Sequence, residues 1–149
     1  MFRGQFIHSI DSKGRVSLPS RFRDLVVKDG DSRLIVTPAL FDPCLNVYPM
    51  AEWEEFEKKI ADLPRLDPHV VRFRRIHVSA AIECELDKTG RILVPPHLRD
   101  SASLSKDVLW AGMGKTMELW SKPRWDEALE ISESDQTVFK NAITELIRI

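Results

Sequence analysis

Hydrophobic positions recur at period two near the start of the chain, where Phe6, His8 and Ile10 fall on one face. The same spacing returns at Ile82, Cys84 and Leu86. Alternation of this kind marks a half-buried strand. Each run leads into Asp-x-x-Gly, first Asp11 to Gly14 and then Asp87 to Gly90. Asp suits the first position of a type I turn, and Gly suits the left-handed position that closes it with a bulge, so both strands should enter tight hairpins. A second short strand, Arg15 to Leu18, puts Val16 and Leu18 on one face and Arg15 and Ser17 on the other. Pro19 stands where proline is well tolerated, at the first turn of a helix, and Phe22, Leu25 and Val26 supply that helix with an apolar side.

Arg33–Thr37 and Cys44–Tyr48 read as two more strands, joined by a loop bounded by Pro38 and Pro43. Pro49 opens a second helix with Trp53, Phe56 and Ile60 at helical spacing. Asp67-Pro68 starts a third helix that runs to about Arg75. The segment from Asp135 to Ile149 is amphipathic, with Val138, Phe139, Ala142, Ile143 and Leu146 on one side, and predicts a terminal helix.

The pattern is duplicated. Asp11-Ser12-Lys13-Gly14-Arg15-Val16-Ser17-Leu18-Pro19 recurs as Asp87-Lys88-Thr89-Gly90-Arg91-Ile92-Leu93-Val94-Pro95, displaced by 76, and Arg23-Asp24 recurs as Arg99-Asp100. Val47-Tyr48 and Trp53-Glu54-Glu55 are echoed by Leu119-Trp120 and Trp125-Asp126-Glu127, displaced by 72. The missing four residues should fall in the loops around Lys28–Asp31 or Pro38–Pro43. Each unit is therefore β-β-α-β-β-α and too small to bury its own sheet, so the two must share one core. The fold class is α+β and strand-rich, with repeat 1 at 1–63, a helical linker at 64–78, and repeat 2 with the terminal helix at 79–149.

Composition adds little until it is read by segment. The chain of 149 residues is 43% hydrophobic and 30% charged, ordinary for a globular protein. Its longest uncharged stretch, Pro43 to Ala51, falls well short of the roughly 20 residues of a membrane-spanning helix, and the N-terminus has no apolar run of a secretory signal. Cys44 and Cys84 form no C-x-x-C pair; they read as small buried hydrophobes in a reducing compartment. The net charge of −1 argues against a generally basic nucleic-acid binder. The charge is nevertheless sorted: residues 1–25 carry Arg3, Lys13, Arg15, Arg21 and Arg23 against Asp11 and Asp24, whereas the second helix and the C-terminal region are acidic.

Catalytic patterns are weak. Gly112-Met113-Gly114-Lys115-Thr116 imitates the end of a phosphate-binding loop, but the required earlier glycine is Leu109 and a strand follows, so a hairpin is expected. Glu83, Glu85 and Asp87 share a strand face without a further ligand beside them and read as solvated. His8, His69, His77 and His97 have no metal-ligand spacing, and His8, on an apolar face, reads as a satisfied core histidine. No serine has a nucleophile-elbow context. No enzyme, cofactor or metal site is expected. What remains is the duplicated basic turn. Asp11 and Gly14, like Asp87 and Gly90, build the turns; Arg15 either pairs with Asp11 or, with Lys13, meets a phosphate or a guanine edge. A second basic group, Arg72, Arg74 and Arg75, reads as a solvated helix face.

The opening Met1-Phe2-Arg3-Gly4, the paired Asp-x-x-x-Arg motifs at Asp11/Arg15 and Asp87/Arg91, and the tract Glu83-Cys84-Glu85-Leu86-Asp87 resemble the MraZ family of the bacterial division and cell-wall cluster. The pattern D-x-x-G-R-[VI]-x-[LV]-P also resembles AbrB-type regulators, which carry one copy per chain. The resemblance covers essentially the whole sequence. It implies a swapped-hairpin fold with intertwined halves, a ring-shaped homo-oligomer (octamer or dodecamer), a cytoplasmic, nucleoid-associated protein, and binding to double-stranded DNA at direct repeats upstream of its own operon. It carries DNA contact onto the Asp11–Arg15 and Asp87–Arg91 segments, with Lys13, Arg15, Arg3, Arg21, Lys88 and Arg91 as the candidate cations. The second copy departs at Thr89, where the first has Lys13, and at Pro96-His97, where the first has Ser20-Arg21. The competing reading is a ring that binds protein partners through Trp53, Trp125 and the acidic helices.

Overall fold

The computed structural model describes residues 1–28 and 30–149. Asp29, in one of the two loops expected to absorb the difference between the repeats, lies outside them. The first unit runs β1 (Gln5–Ser9), β2 (Arg15–Ser17), α1 (Ser20–Lys28), β3 (Arg33–Pro38), β4 (Leu45–Pro49) and α2 (Met50–Ala61). The second repeats the order as β5 (Ile82–Glu85), β6 (Arg91–Leu93), α4 (Pro96–Ser101), β7 (Asp107–Gly112), β8 (Met117–Ser121) and α5 (Lys122–Leu129). Between them lies α3 (Pro68–Phe73), capped by the Asp67 carboxylate accepting from the His69 amide, and continued by a π-helical turn over Arg74–Val78. A last helix, α6, spans Glu133–Ile147. Among the described residues no helix is long and apolar enough to cross a membrane.

The units exchange their first hairpins. Six antiparallel strands form one sheet in the order β1-β7-β8-β4-β3-β5, so β1 of the first unit pairs with β7 of the second, and β5 of the second pairs with β3 of the first. The short strands β2 and β6 pair with each other as a separate antiparallel ribbon, Val16 opposite Ile92. Leu34 opposite Pro49 corresponds to Val108 opposite Ser121, displacements of 74 and 72. The four missing residues thus divide equally between the α4–β7 connection and the β7–β8 hairpin.

Alternation explains the layers. On one face of the sheet Leu34, Val36, Val108 and Trp110 join Phe22, Val26, Val16, Ile92 and Leu98 in a single core to which both units contribute. On the other face Ile35 packs with Met50 and Trp53 of α2, and Leu109, Ala111 and Trp120 form a separate cluster against Trp125 of α5. Central strands buried on both faces read as the continuous apolar runs Leu34–Val36 and Val108–Ala111. The two cysteines are free and buried, and burial pushes the Cys84 thiol up to about 11.

Two expectations change. His8 sits on edge strand β1, half-buried, and makes no side-chain hydrogen bond among the described residues. The satisfied buried histidine is His77: Nδ1–H donates to the Pro38 carbonyl at 2.8 Å, which leaves Nε2 to accept from the Tyr48 hydroxyl at 3.0 Å. Trp53, expected as part of a partner surface, is only 5% exposed and belongs to the packing under α2. The terminal helix has the expected amphipathic sequence, and with Phe139 54% and Leu146 78% exposed its apolar side is left uncovered by the described residues.

Candidate nucleic-acid interface

Both duplicated turns have the same construction. Gly14 N–H donates to the Asp11 carbonyl and Asp11 N–H to the Arg15 carbonyl, each at 3.0 Å; Gly90, Asp87 and Arg91 repeat this at 3.0 and 2.9 Å. Gly14 and Gly90 hold φ of +93° and +80°, as the closing position of such a turn requires. The Asp11 carboxylate accepts from the amides of Lys13 (3.0 Å) and Arg15 (2.9 Å), and from Arg15 Nε at 2.7 Å. Asp87 does the same with Thr89 and Arg91, and also takes the Thr89 hydroxyl. The Arg15 amide, followed by its guanidinium and the Lys13 amide, holds the Asp11 carboxyl down to about 2.

Each aspartate is therefore structural, and each arginine is oriented by it. Of the two roles open to Arg15, pairing with Asp11 is realised, and Arg91 pairs with Asp87 at 3.2 Å. Pairing through Nε leaves each guanidinium with further N–H donors, because arginine carries five. Lys13 and Lys88 are exposed at the turns and make no ion pair among the described residues. Arg21 is exposed in the first turn of α1, close in sequence to Leu18, whose amide donates to the Gly90 carbonyl. Arg3 lies beyond the other end of β1, beside the β7–β8 hairpin: Phe2 bridges to Gly114, and the Arg3 backbone passes against Gly112. It is not in the turn cluster.

The β2–β6 ribbon sets the two turns at its opposite ends. Arg15 is opposite Leu93 and Ser17 opposite Arg91. Val16 and Ile92 point into the core, so Arg15, Ser17, Arg91 and Leu93 occupy the outer face. Arg15 and Arg91 are diagonal neighbours, with side chains starting about 7–8 Å apart. Ribbon and core are locked by Trp110 of β7, whose Nε1 donates to the Ser17 carbonyl at 3.0 Å.

Two further residues belong to the site. Arg99 on α4 reaches the first unit's turn, donating from Nη1 to the Ser12 carbonyl at 3.2 Å. Arg23 on α1 reaches the second unit's turn, donating from Nη1 to the Thr89 carbonyl at 3.4 Å. Their signal in the sequence was the repetition of Arg23-Asp24 as Arg99-Asp100.

Exchanged hairpins around a shared core, with a duplicated Asp-x-x-x-Arg turn on a two-stranded ribbon, define an internally duplicated protein in which one chain supplies both halves of an intertwined pair. The family described as "MraZ protein, putative antitoxin-like" matches residues 1–76 and 78–146. The chain is 42% identical over 151 aligned residues to "Transcriptional regulator MraZ" of Thioalkalivibrio sulfidiphilus, with 100% of both chains covered. It is 44% identical to the protein of that name from Natranaerobius thermophilus (99% of this chain, 97% of the relative), and 42% identical to the one from Pseudomonas aeruginosa (87% and 86%). The chain belongs to the MraZ family.

Proposed function

We propose that this protein is a sequence-specific DNA-binding transcriptional regulator whose β2–β6 ribbon is the element that meets DNA. The observation that carries the reading is the placement of Arg15 and Arg91 on one outer face, each oriented by its own aspartate, with Lys13 and Lys88 at the flanking turns. The major groove admits a two-stranded ribbon, guanine presents two acceptors there that an arginine can engage, and phosphates flank the groove on both sides. A net charge of −1 is compatible with this because the charge is sorted along the chain: residues 1–25 carry five basic side chains against two acidic ones, whereas α2 carries four acids against two lysines and α6 three acids against Lys140. The names of the relatives support regulation of transcription.

The target in this reading is a set of direct repeats upstream of the protein's own division and cell-wall genes, and the working form is a ring of subunits at the nucleoid. The exposed apolar side of α6, with Val138, Phe139 and Leu146, supports self-association. The alternative, a ring that binds protein partners without DNA, loses Trp53 as a binding residue because that indole is buried. A gel shift with the DNA upstream of the protein's own gene and a scrambled duplex, repeated over a salt series, tests the proposal. Retardation of the native duplex, weakening steeply with salt, is expected; equal failure on both duplexes refutes it.

A further inference from the structure

The ribbon is two-fold symmetric in its backbone and asymmetric in its side chains. Arg15 corresponds to Arg91, but Ser17 corresponds to Leu93. Leu93 is 57% exposed between the buried Ile92 and Val94. Its backbone is fixed from below, where the Cys84 thiol donates to the Leu93 carbonyl at 3.5 Å. A lone exposed leucine on a protein surface is ordinary. This one stands directly opposite Arg15 on a face whose other three side chains are polar, so whatever groove receives the arginines also receives Leu93. Among the edges of the bases in the major groove, the apolar group is the C5-methyl of thymine.

Building on the DNA-binding reading above, we propose that Leu93 packs on a thymine methyl, and that the Leu93/Ser17 difference fixes which way round the chain sits on its site. The two arginines alone cannot do this, because the pseudo-two-fold axis of the ribbon exchanges them. Leu93 marks one half of the site with an apolar contact; Ser17 offers the other half a hydroxyl.

The test uses the full-length protein and a duplex that it retards in the gel shift, with each thymine replaced singly by deoxyuridine, which removes only the methyl group. The wild-type protein should lose roughly fourfold in affinity at the contacted thymine. L93S should bind the unmodified duplex with the same fold and particle mass, about fourfold more weakly, and should ignore the deoxyuridine substitution. The exchange variant S17L/L93S should favour the inverted site, with its methyl-sensitive position moved to the other half. Specific binding by the wild type with no deoxyuridine effect at any position overturns this inference and leaves the DNA-binding reading standing. A changed particle mass for L93S, by light scattering, also overturns it, since Leu93 would then lie in an interface between copies. Absence of specific binding by the wild type overturns both.

Discussion

Arg99 of the second unit holds the turn of the first: its Nη1 donates to the Ser12 carbonyl at 3.2 Å, two residues before Gly14. Arg23 makes the reciprocal reach to Thr89 at 3.4 Å, one residue before Gly90. The crossing ties each turn to the opposite unit, so the two basic loops are positioned by one another's helices. Arg99→Ala should therefore loosen the first turn and spare the second. Hydrogen exchange at the Gly14 amide should speed up roughly five- to tenfold, the loss of about one hydrogen bond, with little change at Gly90. Arg23→Ala should give the opposite pattern. Equal effects on both turns would mean that the arginines act through general stability.

The tightness of that crossing makes a second prediction. A Cβ on Gly14 would stand 2.4 Å from the Val94 carbonyl and 2.9 Å from Arg99 Nε, at a φ of +93°. Gly30 also has a positive φ, +79°, but a Cβ there would meet nothing within 4 Å. Gly30→Ala should show only the conformational cost, on the order of 1 kcal/mol, or roughly 2–4 °C in Tm for a chain this size. Gly14→Ala should lower Tm by at least about twice as much, because the first turn must part from Val94, just past the end of β6. Thermal melts of the two variants side by side check it.

Stability should fall in two stages as the solution is acidified. Burial pushes His8 and His77 below the ordinary 6.5, so the unfolded chain takes up these protons first, and stability present above about pH 6.5 is lost below it. Asp11 and Asp87 are each held to about 2 against an ordinary 3.8: by the Arg15 amide in the first turn, and by the Arg91 amide and Thr89 hydroxyl in the second. Their contribution is whole above about pH 4 and disappears toward pH 2. Urea midpoints measured from pH 8 to 2 should show both declines. Asp11→Asn with Asp87→Asn should shrink the second and leave the first; Asp31, held to about 2 by the Arg33 guanidinium, accounts for part of what remains.

Local chemistry was legible in the sequence wherever neighbours along the chain decide the structure. Asp11 and Gly14 announced a bulged turn, Pro49 and Asp67-Pro68 announced helix starts, and the repeated order of elements required a shared core. Long-range partners were not legible. Arg99 and Ser12 are 87 residues apart, and no local pattern says that one holds the other. The exchange of hairpins came from resemblance, because alternation at Phe6 and Ile82 is the same whichever sheet receives the strand. His8 was misread because alternation gives the face of a strand but not its place in the sheet; β1 is an edge, so its inward face is only partly covered. His77 was missed because the π-helical turn breaks the spacing by which a buried helix face is recognised. The apolar side of α6 was legible, but its exposure was not, because helical spacing gives a face and not the partner that packs on it.

Several ribbons should act together on one stretch of DNA. A ring built by rotation has head-to-tail interfaces, so successive subunits should meet DNA in the same orientation and read direct repeats. Repeats that face the same side of the duplex recur about every 10–10.5 base pairs. Each subunit offers few cations at its ribbon, Lys13, Arg15, Lys88 and Arg91, so one isolated repeat should bind weakly, whereas linking sites through the ring can raise affinity by roughly 10²–10⁴ on its own. Lys13→Ala should weaken binding to all sequences and reduce the salt slope by about 0.9 for each phosphate that the bound subunits no longer neutralise. Arg15→Ala should leave fold and oligomer intact, since its pair with Asp11 is partly exposed, while abolishing discrimination between native and scrambled DNA; an unfolded variant would instead make Arg15 a structural partner of Asp11 alone. Inserting five base pairs between two repeats rotates one of them to the opposite face of the duplex. That insertion should cost most of the linked affinity in a quantitative gel shift, and unchanged binding would show that the repeats are not held by one rigid assembly.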